Sequence, residues 1–167
     1  PARQWNRKAS TVAVLLLALV IAACETTPGG AFGGSAESRA ERLAQNGEFQ
    51  EAASAYIGLA AGASGGERDR LTLLAVDNWL DAGDAVHARN AFGGVARPQG
   101  GELLWRWNST RAAMHLYDGE AQPASDLLES LSRQSLPPDL RLRVEALRAD
   151  AWFQLAEPTR AIELLMQ

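Results

Sequence analysis

The sequence predicts an all-α fold, in which helical hairpins stack in series behind an amino-terminal signal segment. Two observations predict the hairpins. A pattern of small, glycine, acidic and large residues recurs at intervals of 36 or 37 residues, and no stretch of useful length alternates apolar and polar residues as a strand would. A third observation, an apolar run preceded by basic residues, predicts the signal segment.

The first 23 residues have the composition of an export signal. Three basic residues, Arg3, Arg7 and Lys8, and no acidic residue precede an apolar run at residues 12–23. A helix that crosses a bilayer needs about 20 apolar residues, so this run is too short to span comfortably. The order of basic, apolar and small residues is typical of a signal that is removed after export.

The segment IAAC at residues 21–24 resembles a bacterial lipobox, where signal peptidase II cleaves before a cysteine that carries a diacylglyceryl group. The resemblance implies that residues 1–23 are a lipoprotein signal peptide and that Cys24 is the lipidation site. An ordinary signal peptide is the alternative. Cys24 is the only cysteine, so a disulfide within the chain is excluded. Glu25 follows it, which by similarity to enterobacterial sorting rules implies the outer membrane, on the periplasmic side.

Residues 24–35 are polar and glycine-rich, which predicts a flexible tether, and the helical domain then occupies residues 36–167. The formal net charge is -4 and becomes more negative when the three basic residues of the signal are removed. This charge argues against nucleic acid and anionic lipid as partners, so we expect membrane attachment through the acyl chains on Cys24. Because the chain starts with proline and ends in an apolar helical pattern, we expect it to be part of a longer protein.

The repeats agree at five positions, which share a function in a helical hairpin. A small or β-branched residue lies seven positions before the turn, at Ala40, Val76, Ala112 and Ala149. The turn residue is Gly47, Gly83, Gly119 or Ala156. An acidic residue follows it, at Glu48, Asp84, Glu120 and Glu157. An alanine lies four residues after the acidic residue, at Ala52, Ala88, Ala124 and Ala161. A larger residue lies four residues after the alanine, at Tyr56, Phe92, Leu128 and Leu165.

This spacing has a physical interpretation as a stack of helical hairpins. The acidic residues are expected at the start of each second helix, where they complement the positive end of its dipole. The alanines permit close approach of the two helices, and the larger residues fill the space between successive hairpins. The spacing resembles that of tetratricopeptide repeats, with a slightly longer period, and so implies a tetratricopeptide-like helical hairpin solenoid.

Catalytic residues are not evident in the sequence. His87 and His115 lack the spacing of a metal site, and the repeat register of His115 favours a packed core position. Asp81 and Asp84 flank a turn and are interpreted as caps. No nucleophile, base and orienting group can be assembled, so we expect a protein that is not an enzyme and that uses no metal or cofactor.

Three arginines are the candidate binding residues, because Arg70, Arg106 and Arg143 occupy the same position in successive repeats. The tetratricopeptide resemblance implies that this position faces a groove, where the arginines would bind carboxylates of a peptide, a partner protein or peptidoglycan stems. The alternative is that each arginine pairs with an acidic residue on a neighbouring repeat.

Two tryptophans, Trp105 and Trp107, lie close to the second of these arginines. Residues two apart on a helix point about 200° from one another, so the two rings cannot share a face. Trp105 lies on the stripe of Ala112 and is expected in the core. Trp107 is then expected at a surface or groove, as a contact anchor, with partial burial as the alternative.

Two segments carry a family resemblance, at residues 56–92 and 136–165, with ERDRLTLLAVDNWLDAGD the most characteristic part. They resemble the amino-terminal region of LppC-family (LpoA-type) lipoproteins. The resemblance implies an outer-membrane lipoprotein that activates a class A penicillin-binding protein, which is a peptidoglycan synthase. It also implies a second domain after residue 167, similar to periplasmic substrate-binding proteins.

Three functions follow as hypotheses. The first is a regulator of peptidoglycan synthesis that activates such a synthase, with this segment as spacer and interaction platform. The second is a repeat-scaffold lipoprotein for outer-membrane or pilus assembly. The third is an enzyme, such as a wall hydrolase, whose catalytic domain lies elsewhere in a longer chain.

Overall fold

The computed structural model describes residues 35–166, which form eight α-helices and no strand. In chain order the helices are α1 (Ala36–Gln45), α2 (Phe49–Gly62), α3 (Gly65–Asp81), α4 (Ala85–Gly93), α5 (Gly101–Tyr117), α6 (Ala121–Ser132), α7 (Pro138–Gln154) and α8 (Pro158–Leu165). The predicted all-α class is confirmed for this part of the chain. None of these helices is both long and apolar enough to cross a membrane. The predicted signal peptide, Cys24 and almost all of the predicted tether lie outside the described residues.

The turn between α1 and α2 shows how each hairpin is closed. The Glu48 N–H donates to the carbonyl of Leu43 at 2.9 Å, and the Gly47 N–H donates to the carbonyl of Ala44 at 3.0 Å. This pair of hydrogen bonds satisfies two carbonyl groups at the end of the first helix. It requires a residue in the left-handed conformation after that helix. Equivalent pairs of backbone hydrogen bonds close the turns between α3 and α4, between α5 and α6, and between α7 and α8.

The four turn residues have φ angles in the left-handed region. The angles are 81° at Gly47, 78° at Gly83, 76° at Gly119 and 60° at Ala156. The acidic residue that follows each of them is the N-cap of the second helix, as predicted. Among these caps Asp84 accepts a hydrogen bond from the His87 backbone N–H at 3.1 Å, so its predicted capping role is confirmed.

Ala156 is the non-glycine residue in this register, which makes it a test of the turn. A left-handed conformation costs an L-residue about 1–2 kcal/mol, and glycine avoids this cost but loses more entropy on folding. We expect Ala156→Gly to raise the free energy of unfolding by about 1 kcal/mol, measured by urea denaturation. The reverse change Gly119→Ala is the control and should lower the free energy of unfolding, because the backbone there is in the left-handed region. The added Cβ would meet no neighbour within 4 Å, so backbone strain is the one expected effect. A destabilised Ala156→Gly variant would contradict the left-handed turn.

The core lies between the two helices of each hairpin and between successive hairpins. Consecutive helices pack together, with the exception of α4 and α5, which are joined by a loop. In addition, α3 packs on α5, and α5 packs on α7. The four alanines predicted to permit close approach, Ala52, Ala88, Ala124 and Ala161, are fully buried. Tyr56 and Leu128 are buried among the larger residues, whereas Phe92 is half-buried and stacks on Trp107. The predicted register therefore matches the observed packing.

Candidate functional site

The three candidate arginines lie on the first helix of three successive hairpins, Arg70 on α3, Arg106 on α5 and Arg143 on α7. They do not line one continuous groove. Arg70 and Arg106 line a groove of about 240 Å³. Arg143 lines a separate groove of about 220 Å³ between α3, α5 and α7.

Arg70 is held by two carboxylates. Its Nη2 lies 2.8 Å from Oε1 of Glu37 on α1, and its Nε and Nη2 donate to the two carboxylate oxygens of Glu67 at 2.8 and 2.7 Å. These contacts raise the pKa of Arg70 and lower that of Glu67. The ion pair with Glu37 links the first helix of the second hairpin to that of the first.

Arg106 is the most buried of the three, with 6% of its surface exposed. Its Nη2 donates to Oδ2 of Asp139 on α7 at 3.0 Å and lies 3.5 Å from Oε1 of Glu102 on its own helix. The first contact joins α5 to the hairpin that follows it. A guanidinium this buried is stable only when carboxylates compensate its charge.

Arg143 pairs with an acid that sequence reasoning missed. Its Nη2 lies 2.7 Å from Oδ1 of Asp77 on α3, and Asp77 is only 4% exposed. Burial raises the pKa of the Asp77 carboxyl, and the positive charge of Arg143 opposes this rise. The pair joins α3 to α7, the two helices that pack on either side of α5. The sequence feature that could have indicated this pair is the position of Asp77, a carboxylate within the apolar stripe between Leu73 and Leu80.

Asp77 belongs to a layer of buried polar side chains on α3 and α5. Its members are Asp77, Asn78, Arg106, Ser109 and Thr110. Ser109 and Thr110 are fully buried, and the Ser109 hydroxyl has no hydrogen-bond partner within residues 35–166.

Two of the three arginines follow the alternative given above, because Arg70 and Arg106 each pair with a carboxylate of a neighbouring hairpin, whereas Arg143 pairs with a carboxylate two hairpins away. Arg70 pairs backwards in the chain with Glu37, Arg106 pairs forwards with Asp139, and Arg143 pairs backwards over two hairpins. Carboxylates that do not belong to these pairs line the second groove, where Asp81 and Asp150 accompany Arg143. The surface between α3, α5 and α7 thus presents more negative than positive charge to a ligand.

Trp107 follows the alternative of burial and not the surface position expected for a contact anchor. The residue is 8% exposed, its ring stacks on Phe92 with ring centroids 5.2 Å apart, and its indole N–H donates to the carbonyl of Val95 at 3.4 Å. Val95 is in the loop between α4 and α5 and packs with Trp107 in one apolar cluster. Trp105 is instead the half-buried residue. The two rings do point in different directions, but the loop covers the face that was expected to be open.

The two histidines have local partners. His87 Nδ1 lies 2.7 Å from Oδ2 of Asp84, and its ring stacks on Trp79. His115 Nδ1 lies 2.6 Å from Oε2 of Glu120, and the side chain is partly exposed rather than fully in the core. No group of three or more potential ligands in residues 35–166 is arranged to hold a metal ion.

No protein-family model, no curated protein and no solved structure matches this chain.

Proposed function

We propose that this chain is a tetratricopeptide-like solenoid in an outer-membrane lipoprotein that activates a class A penicillin-binding protein and so regulates peptidoglycan synthesis. In this proposal the helical segment is a spacer and interaction platform, and it performs no catalysis and holds no cofactor. Acyl chains on Cys24 attach the protein to the membrane, with the helical segment on the periplasmic side.

The observation that carries this proposal is the repeated packing of the first helices. α3 packs on α5, α5 packs on α7, and each hairpin is closed by the same pair of turn hydrogen bonds. Units that repeat one packing geometry form an extended surface, which is the usual binding surface of helical-repeat proteins. The lipobox-like segment and the resemblance to LppC-family lipoproteins supply the location and the partner.

The charges of this surface favour a partner that presents basic groups. Asp81 and Asp150 line the groove between α3, α5 and α7, whereas Arg143 in the same groove is paired with Asp77. Charge complementarity of this kind mainly raises the association rate and the specificity of binding, and its effect decreases with salt.

The test is a titration of the class A synthase of the same bacterium, in detergent, with the full chain. We expect saturable binding and an increase in the rate of glycan polymerisation or peptide cross-linking. The variant Asp81→Asn/Asp150→Asn should bind more weakly and with less dependence on salt. A matched variant, Glu41→Gln/Asp126→Asn, changes two exposed carboxylates elsewhere and should bind normally. Absence of both binding and stimulation would refute the proposed activation.

A further inference from the structure

Two arginines lie beside the ring of Trp107, and neither has a carboxylate partner in the part of the chain that the structure describes. The guanidinium carbon of Arg97 lies 6.0 Å from the ring centroid, and that of Arg111 lies 5.6 Å from it. Both arginines are exposed, and neither takes part in an ion pair among the described residues. The ring itself is fixed by its contacts with Phe92 and Val95. We call the surface formed by Arg97, Arg111 and Trp107 the basic site.

The ring of Trp152 carries the same arrangement with its charges compensated. The guanidinium carbons of Arg148 and Arg160 lie 4.9 and 5.7 Å from its centroid. Arg148 pairs with Glu129 at 3.1 Å, and Arg160 pairs with Glu157. Each arginine beside Trp152 therefore has its own carboxylate, whereas the basic site holds two positive charges that the described residues do not compensate.

The repeat register explains why Arg111 lacks a carboxylate. Arg111 and Arg148 both lie nine residues before the acidic N-cap of the second helix in their hairpins. Arg148 pairs with Glu129 from the second helix of the preceding hairpin. The interval of 36 residues carries the position of Glu129 back to Gly93 at the end of α4. Because glycine has no side chain to pair with it, the charge of Arg111 is open to a group from another molecule.

The basic site lies at the boundary between the second and the third hairpin, and not at an end of the series. Arg97 is in the loop that joins α4 to α5, and Arg111 is on α5. At the boundary between the first two hairpins the residues in the register of Glu129 and Arg148 are Ile57 and Ala75, which belong to one apolar cluster. Units of a helical-repeat protein contact only their neighbours, so a hairpin added at either end of the series would not cover the basic site.

The charge of the basic site favours a ligand with carboxylates. A guanidinium presents a planar fork of N–H donors that matches a carboxylate, and contact with the indole ring restrains both side chains. A membrane surface or a nucleic acid requires a larger basic area, whereas this chain has 20 acidic and 16 basic residues. Residues 1–34 contain one acidic residue, Glu25, so they cannot supply two carboxylates. An acidic polypeptide segment of another protein meets these conditions.

We propose that the basic site binds an acidic polypeptide segment of a partner protein, with one carboxylate on the guanidinium of Arg97 and a second on that of Arg111. The ligand gives Arg111 the kind of partner that Glu129 gives Arg148. This surface takes an acidic ligand, whereas the groove between α3, α5 and α7 favours a basic one. Binding at the basic site is independent of the proposed activation of a synthase.

The experiment titrates the full chain into a fluorophore-labelled decapeptide of alternating glutamate and glycine and follows the fluorescence anisotropy. We expect saturable binding that weakens with salt, and no binding of the same peptide with glutamine in place of glutamate. The variant Arg97→Gln/Arg111→Gln should weaken the affinity about tenfold, because two exposed ion pairs are lost.

A second variant tests the register by adding a carboxylate to the chain itself. Gly93→Glu should weaken peptide binding, because its carboxylate occupies the register of Glu129 and competes for Arg111. A Cβ at Gly93 meets no neighbour within 4 Å, so the site accepts a side chain. Gly93→Gln adds a side chain of the same length without the charge and should leave the affinity nearly unchanged.

The matched control for the arginines is Arg39→Gln/Arg42→Gln on α1. Both of these arginines are exposed and likewise take part in no ion pair among the described residues. The control changes the net charge equally and should leave the affinity nearly unchanged. Circular dichroism and melting check that each variant is folded.

Four results would overturn the proposal. They are the absence of saturable peptide binding, equal weakening by the two arginine double variants, an oligomer of the chain that Arg97→Gln/Arg111→Gln converts to monomer, and binding to phosphatidylglycerol vesicles that requires the same two arginines. The oligomer would make a second copy of the chain the ligand, and the vesicle result would make it a membrane surface. Peptide binding that persists while the synthase titration fails would remove only the proposed activation.

Discussion

Replacing Arg143 with glutamine will lower the free energy of unfolding by about 3 kcal/mol at neutral pH. The reason is the buried partner, because Asp77 is 4% exposed and its carboxylate then loses the guanidinium 2.7 Å away. Removal of one member of a buried ion pair leaves an uncompensated charge and typically costs about 3–5 kcal/mol. We place the value at the lower end because the Arg143 side chain is 23% exposed. Urea denaturation measures the change.

Two controls separate this effect from a loss of charge in general. The double variant Asp77→Asn/Arg143→Gln removes both charges and should be more stable than Arg143→Gln alone. Arg133→Gln removes an arginine that is 69% exposed and lies 3.9 Å from Glu129, and such surface pairs contribute little. Equal destabilisation by Arg143→Gln and Arg133→Gln would show that the Asp77 pair has no special role.

The pH dependence of the Arg143→Gln variant has a definite sign. Burial raises the pKa of Asp77 above the value usual for an aspartate, and Arg143 opposes this rise. We therefore expect the removal of Arg143 to raise this pKa further. When the pKa of a carboxyl group is higher in the folded state than in the unfolded state, the folded state binds the proton more tightly. The free energy of unfolding of the protein then decreases as pH rises through the folded-state pKa. The difference between the variant and the native protein should therefore become smaller as pH falls from 7 towards 5. The double variant with Asp77→Asn should not show this convergence.

Ala88→Leu and Ala124→Leu should each lower the free energy of unfolding by about 1–3 kcal/mol. Both alanines are fully buried between the two helices of a hairpin, Ala88 in the cluster with Trp79 and Ala124 in the cluster with Leu128. Three further carbon atoms at either position would force the helices apart, because interiors are close-packed. Thermal and urea unfolding measure the effect. Ala61→Leu, at an exposed position of α2, is the control and should change stability little. Native-like unfolding of both core variants would contradict the register.

The hairpins and their register could be predicted from the sequence because short-range interactions specify them. A left-handed residue, two hydrogen bonds that span at most six residues and an acidic N-cap determine each turn. These requirements leave a repeated signature of glycine, acid and alanine. They also identified the fourth turn, where Ala156 adopts the same conformation without the glycine.

Tertiary structure alone decided the environment of the candidate site. The sequence placed Arg70, Arg106 and Arg143 in one register, but their partners come from other hairpins, as Arg106 and Asp139 do across 33 residues. The burial of Trp107 likewise depends on a loop that brings Val95 over its ring. The register of a helical repeat follows from residues within a few positions of one another. The pairing of a charge or the covering of a ring depends instead on which distant side chain has the length and the free space to reach it.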